Sequence, residues 1–184
     1  MITEIAWQLM ELFGTTIDTE KNFKEHIATI CKTINSQYSV MTRFGKLVSS
    51  ATLLRLYKAF ILPHFYYCST VWHFCNTRDS DKLETLNKRI LRFIFKDAVS
   101  DYTQLLRRAG TTTLENRRLQ NMVLNIFKCL HLNAYMKQMF SLRSVSYSLR
   151  GSNILSLPKP STTSYGLNSF CYLSSKLWNS LPEN

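Results

Sequence analysis

The chain has few of the residues that interrupt regular secondary structure. Its 184 residues include only five glycines and four prolines. A fold built from many short strands needs both residues for its turns, so their scarcity favours long helices. Apolar residues make up 45% of the chain and aromatic residues 12%, which suits a packed core rather than a disordered chain. The composition therefore predicts a mainly α-helical protein.

Features of secreted and membrane proteins are also missing from the sequence. The five cysteines are an odd number and are spread widely, whereas disulfide scaffolds carry paired cysteines at close spacing. No signal peptide opens the sequence, and no apolar run approaches the roughly 18 residues of a membrane span without a charge or a proline. We therefore expect no membrane partner and a reducing compartment, the cytoplasm or the nucleus.

The sequence contains no recognisable catalytic motif. A glycine-rich phosphate loop and a nucleophile elbow are both absent from it. Asp79 and Asp81 could be paired metal-binding carboxylates, but helix capping explains them without a metal. His64, Cys68 and Cys75 would share one face of an unbroken helix, yet they lack the second close pair that zinc sites usually have. We predict no active site, metal site, cofactor or small-molecule substrate in this chain.

Positive charge is what the chain has in excess. It carries 23 Lys and Arg residues against 12 Asp and Glu, and 21 of the cations follow residue 30, where only seven acids lie. A basic body of this size is typical of proteins that bind a polyanion, nucleic acid before membrane. The alternative is that the excess positive charge serves only to keep the protein soluble.

Apolar periodicity divides the chain into a short strand, a series of helices and an extended segment. We predict domains at 1–19 (a strand remnant), 20–140 (a helical bundle) and 141–184 (an extended segment ending in a helix). Pro63 should kink or break a helix that starts near Ser49, and Gly110 should end another. The first predicted element is a strand from Leu12 to Ile17. A helix from about Glu20 to Arg43, capped at residues 18–20, follows it, and the next helix has inward-facing Leu53, Leu54, Tyr57, Phe60 and Ile61. The last predicted element is an amphipathic piece from Asn168 to Leu181.

The segment from Lys82 to Lys96 separates into two faces, after a start signal at Asp79 or Ser80. On a helix, Leu83, Leu86, Ile90 and Ile94 fall on one side, and the cations fall roughly 130° away. Such a row of cations suits phosphate contact, and a solvated helix face is the alternative. The predicted nucleic-acid-binding residues are Lys82, Arg89, Arg92 and Lys96, with Arg107, Arg108, Arg117 and Arg118 nearby in sequence.

The aromatic residues are concentrated between Leu56 and Cys75, in the stretch LYKAFILPHFYYCSTVWHFC. Exposed rings in a basic protein can stack on bases. Rings at helical spacing are more commonly core residues. We favour the core interpretation.

Five segments, in order, resemble the reverse transcriptases of non-long-terminal-repeat (LINE-type) retrotransposons. The first resembles the end of the palm and the start of the thumb, the second and third resemble the thumb, and the last two resemble the region after it. Together they cover Leu12 to Pro182. The segments are LFGTTIDTEKNFKEHIATICKTINSQYSVMTRF, LLRLYKAFILPHFYYCSTVWH, KLETLNKRILRFIF, RRLQNMVLNIFKCLH and SLRGSNILSLPKPSTTSYGLNSFCYLSSKLWNSLPEN.

The resemblance implies a role in RNA-directed DNA synthesis. The parent enzymes use two Mg²⁺ ions held by palm aspartates of an aromatic-Ala-Asp-Asp motif, which is not found in this sequence. We therefore expect a truncated copy, or the product of only the 3′ part of an open reading frame, that lacks polymerase activity. It would hold RNA or an RNA–DNA duplex through the phosphate backbone. The alternatives are a domesticated helical adaptor that binds protein partners and a retrotransposon relic without function.

Overall fold

The structure is a computed structural model and describes residues 9–12, 14–18, 23–73, 75–132, 137–142, 155–160, 162, 166–167 and 169–181. It is mainly α-helical, as the composition predicts. The chain forms two compact units, Met1–Arg117 and Arg118–Asn184. The domain boundaries that we placed before residues 20 and 141 stay predictions.

A β-hairpin precedes the helices of the first unit. Strand β1 (Leu9–Leu12) pairs antiparallel with β2 (Thr15–Asp18), and Leu12 lies opposite Thr15. The sequence indicated one strand across this region. The chain instead reverses at Gly14, whose φ of 73° lies in the left-handed region that glycine adopts at low cost. Residues 19 and 20 of the predicted helix cap lie outside the described residues.

Helix α1 (Lys24–Phe44) packs against α4 (Thr77–Phe95) and buries Ile27, Ile30 and Ile34 along one face. The predicted start near Glu20 is not where the helix begins, because Phe23 takes a left-handed conformation immediately before it. The C-terminal end approaches α4 so closely that a Cβ on Gly45 would lie 2.3 Å from the Phe93 ring. A side chain at this position would therefore have to displace the Phe93 ring.

The backbone is irregular around Pro63, as predicted. Helix α2 (Ser50–Leu56) starts at Ser49, whose hydroxyl accepts a hydrogen bond from the Thr52 amide at 3.3 Å. A π-helical turn (Tyr57–Ile61) and a 3-10 turn (Leu62–Phe65) follow, and then the short α3 (Ser69–Trp72). Proline has no amide hydrogen, so it cannot complete the hydrogen-bond ladder of a regular α-helix.

The π turn overturns one predicted core position. It holds more residues per turn than an α-helix, so side chains after its start are rotated away from the predicted face. Phe60 is consequently 62% exposed, whereas Tyr57, Phe65 and Trp72 are fully buried. The Trp72 indole donates a hydrogen bond to the Tyr67 carbonyl at 2.9 Å. These three buried rings belong to the core, as the core interpretation of the aromatic stretch predicted.

The three helices that follow α3 have well-defined starts. Asn76 caps α4 by accepting from the Asp79 amide at 2.9 Å, so the predicted cap at Asp79 or Ser80 is wrong by three or four residues. Helix α5 (Tyr102–Ala109) starts with an Asp101 capping box and ends at Gly110, as predicted, with φ 63°. Helix α6 (Leu114–His131) follows Thr113, whose hydroxyl accepts from the Asn116 amide at 3.2 Å.

A chain of hydrogen bonds around the buried Asn87 connects four of these elements. The Tyr57 hydroxyl donates to Asn87 Oδ1 at 2.6 Å, and Asn87 Nδ2 donates to the Tyr102 oxygen at 2.8 Å. The Tyr102 hydroxyl donates to Glu84 Oε2, and Glu84 Oε1 accepts from the Glu115 amide at 3.1 Å. Burial raises the pKa of both tyrosines, so the hydroxyls stay protonated as donors. The π turn, α4, α5 and the start of α6 therefore share one polar network.

The second unit is organised around α7 (Phe170–Asn179), which lies within the predicted piece Asn168–Leu181. The Asn179 side chain pairs with the backbone of Leu155 by accepting from its amide and donating to its carbonyl, both at 2.9 Å. Leu155 also bridges antiparallel to Leu142 and is only 2% exposed. The predicted extended segment is therefore packed at Leu155, and residues 143–154 lie outside the described residues. The unit's buried cluster is Ile126, Cys129, Phe140 and Leu155.

We predict that Asn87→Leu destabilises the first unit by about 2–3 kcal/mol, because the Tyr57 hydroxyl loses its acceptor and Tyr102 loses its donor in a buried site. Urea unfolding followed by circular dichroism measures the change. Asn116→Leu, at an exposed position of α6, is the matched control and should shift the free energy of unfolding by less than about 0.5 kcal/mol. Equal effects of the two variants would contradict a stabilising role of the network.

Candidate nucleic-acid interface

Helix α4 carries three of the four predicted nucleic-acid-binding residues, and the fourth, Lys96, immediately follows it. Leu83, Leu86, Ile90 and Ile94 are buried as predicted, which fixes the direction in which the remaining faces point. Lys82, Arg89 and Lys96 are exposed, and Arg92 is half-buried. Lys82, Arg89 and Lys96 follow one another at seven-residue intervals, about 10 Å of helix axis.

Lys82 is held by an acid one turn earlier on the same helix. Its Nζ lies 2.6 Å from Asp79 Oδ1, with 61% of the lysine side chain but only 3% of the aspartate side chain exposed. The hydrogen bond to Asp79 raises the pKa of Lys82. The ammonium therefore stays charged, and its position is restrained while it faces solvent.

Arg89 reaches from α4 across to α1. Its guanidinium donates from Nη2 to Asn35 Oδ1 and lies 5.1 Å from the centroid of the Tyr38 ring. The Tyr38 ring packs edge-on against Phe93 at 5.6 Å between centroids. A guanidinium has five N–H donors, so these contacts orient Arg89 and leave further donors for a phosphate.

Arg92 and Lys96 differ in how far they can contribute to a phosphate-binding surface. The Nε atom of Arg92 is buried and has no hydrogen-bond partner among the described residues. Lys96 ends the helix in a left-handed conformation with φ 52°, and its side chain is exposed. The exposed row therefore consists of Lys82, Arg89 and Lys96, with Arg92 set deeper.

A groove between α1 and α4 runs beside Lys82 and Arg89. It encloses about 560 Å³. Arg78 also lines it, one helical turn before Lys82, and was not among the predicted residues. Its spacing of four residues from Lys82 is the signal that could have found it. The lining residues are Cys31, Asn35, Arg78, Asp81, Lys82, Thr85, Leu86 and Arg89.

The other nearby arginines are mostly engaged elsewhere. Arg108 pairs with Asp97 at 2.8 Å and lies 4.4 Å from the centroid of the Phe95 ring. The Arg117 guanidinium lies 5.2 Å from the Tyr66 ring centroid, and Arg118 is only 2% exposed. The expectation that Arg118 lines a phosphate-facing surface is therefore wrong, because a buried guanidinium cannot reach a duplex. Arg107 is exposed.

The residues considered for a metal are dispersed. His64 contacts Gln37, with 2.8 Å between its Nε2 and Gln37 Nε2, and lies in the 3-10 turn. Cys68 has a left-handed backbone that separates that turn from α3, so the two residues share no helix face. In the part of the chain that the structure describes, no three His, Cys, Asp or Glu side chains are placed to hold a metal ion.

Comparisons with known proteins found no relative of this chain. No protein-family model, no curated protein and no solved structure matches the chain. Among the described residues, none of the helices has the length and apolar character needed to cross a membrane.

We predict that Asp97 titrates well below an ordinary aspartate. Its carboxylate accepts from the Ser100 hydroxyl at 2.6 Å and amide at 2.9 Å, from the Val99 amide at 3.1 Å and from Arg108. Ser100 is the main reason that the pKa falls to about 2. Since the folded-state pKa is depressed, this contribution to stability is present above about pH 4 and is lost as the pH falls towards 2.

Carboxyl-carbon NMR across the acid range measures this pKa directly. Asp97→Asn should remove the titration and flatten the dependence of unfolding on pH between about 4 and 2. A pKa of Asp97 at or above the ordinary 3.8 would contradict the arrangement of donors around it.

Proposed function

We propose that this chain is a non-catalytic thumb and post-thumb fragment of a LINE-type reverse transcriptase, and that it binds RNA or an RNA–DNA duplex through phosphates. The observation that carries the proposal is the exposed row formed by Lys82 and Arg89 on α4 and by Lys96 immediately after it. The ordered resemblance of five segments to that enzyme family supports the same assignment.

The chemistry of the row suits backbone contact rather than base recognition. Lysine and arginine at regular intervals neutralise successive phosphates, which gives affinity without sequence preference. Arg89 is oriented by Asn35 and Tyr38, so less conformational entropy is lost when it meets a phosphate. The groove beside Lys82 adds Arg78 to the same surface.

We predict that the double variant Arg89→Gln/Lys96→Gln weakens binding to a short RNA–DNA duplex. Each lost phosphate contact should lower the slope of log affinity against log salt by about 1. Fluorescence anisotropy over a salt series gives both affinity and slope. Lys46→Gln/Lys58→Gln is the matched control, since it removes two exposed cations outside the row and changes the net charge equally.

The two double variants separate a local contact from a general charge effect. A lower slope only for the α4 variant supports phosphate binding by this helix. Equal losses in both variants, or wild-type binding that salt does not weaken, would contradict it. Salt-insensitive binding would instead favour the adaptor role.

We also predict no nucleotide incorporation by the 184-residue chain when it is supplied with primer, template, deoxynucleotides and Mg²⁺. Nucleotide addition of the parental kind needs paired carboxylates that hold two metal ions, and the palm motif that supplies them is missing from the sequence. Primer extension on a denaturing gel measures the activity. Primer extension that disappears when an aspartate of this chain is replaced would contradict the non-catalytic assignment.

A further inference from the structure

An apolar groove lies on the first unit between α1 and the irregular segment that follows α2. Val40 and Phe44 form one wall, Leu56 and Phe60 form the other, and the groove encloses about 310 Å³. Met41 and Ile61 are buried at its base. Gln37, which also lines it, contacts His64 of the 3-10 turn that follows.

The groove walls expose more apolar surface than a solvated helix pair needs. Phe60 is 62% exposed, Val40 50% and Phe44 49%. Leu47, three residues beyond Phe44, is 81% exposed. A contiguous patch of large apolar side chains on a folded domain marks an interaction site, whereas single exposed ones do not.

The sequence around the groove is free of acidic residues. From His26 to Arg78, which includes both walls, there are six Lys or Arg residues and no Asp or Glu. Arg43 follows Val40 by one helical turn, and Arg55 immediately precedes Leu56; both are exposed. Exposed cations therefore adjoin both apolar walls in sequence, and a complementary partner combines apolar anchors with acidic flanks.

We propose that this groove binds an acidic amphipathic helix of a partner protein, with its apolar face against Val40, Phe44 and Phe60. Helix-in-groove recognition uses apolar anchors at every third or fourth residue, and the space between two helices suits that shape. A membrane surface also combines apolar and anionic groups, but a planar bilayer does not fill a concave groove. The inference does not depend on the proposed nucleic-acid role, since it concerns different residues.

The test uses the whole chain and two synthetic helical peptides. One carries leucines at every third or fourth position and glutamates on its other faces; its twin carries lysine in place of each glutamate. We expect the acidic peptide to bind at physiological salt, as measured by fluorescence anisotropy, and the lysine twin to bind at least about tenfold more weakly.

Substitutions at exposed wall positions test the groove without removing core residues. Phe44→Ser/Phe60→Ser should weaken binding of the acidic peptide about tenfold or more. The control Val99→Ser/Leu124→Ser, at positions 94% and 55% exposed, should leave it unchanged. Arg43→Glu/Arg55→Glu should weaken binding of the acidic peptide and strengthen binding of the lysine twin. Circular dichroism checks that each variant is folded.

Several results would overturn the proposal. They are absence of acidic-peptide binding, equal binding of both peptides, or a loss caused by Arg89→Gln/Lys96→Gln and not by the groove variant. Sedimentation equilibrium that shows self-association through Phe44 and Phe60 would assign the groove to a second copy of the chain. Anionic vesicles that bind through these residues, when the peptide does not, would assign it to a membrane.

Discussion

The hydrogen-bond chain through Asn87 is the interaction on which the first unit depends most. Apolar contacts tolerate small rotations of a helix, but a buried amide with both ends satisfied permits only one arrangement. Asn87 joins Tyr57 of the π turn to Tyr102 of α5, and Glu84 on the same side of α4 accepts from the first turn of α6. A carboxylate at that position also interacts favourably with the helix dipole. The network therefore determines how α4 is rotated within the bundle, and with it the direction of the cation row.

Helix α4 has three chemically distinct faces, and each constrains the others. Its apolar face is buried, its network face holds Glu84 and Asn87, and its third face carries Lys82 and Arg89, with Lys96 just beyond the helix end. Lys82 is paired with the buried Asp79, and Arg89 is oriented by Asn35 and Tyr38. Cations supported in this way lose less conformational freedom on meeting a polyanion than unsupported surface lysines do. That difference is the physical reason for preferring a binding surface over a merely solvated face.

Amphipathic periodicity predicted those parts of the fold that regular geometry controls. The buried positions of α4, the helix start near Ser49 and the helix end at Gly110 all follow from local rules of spacing and backbone freedom. The predicted start of α4 was wrong because Asn76, Asp79 and Ser80 all have side chains that cap helices well. The local sequence alone does not rank them. The burial of Arg118 and the Asn179–Leu155 pairing depend on tertiary contacts, which no local pattern contains.

The exposure of Phe60 shows how one irregular turn changes what a surface can do. A periodic pattern assumes a constant number of residues per turn, and on that assumption Phe60 faces the core with Tyr57 and Ile61. Pro63 prevents a regular ladder, and the π turn before it keeps Tyr57 and Ile61 inside while Phe60 turns outward. Tyr57 is also held by Asn87, so the network and the π turn fix the same residue. The turn that lets Tyr57 complete the buried network is therefore also the turn that places Phe60 on the groove wall.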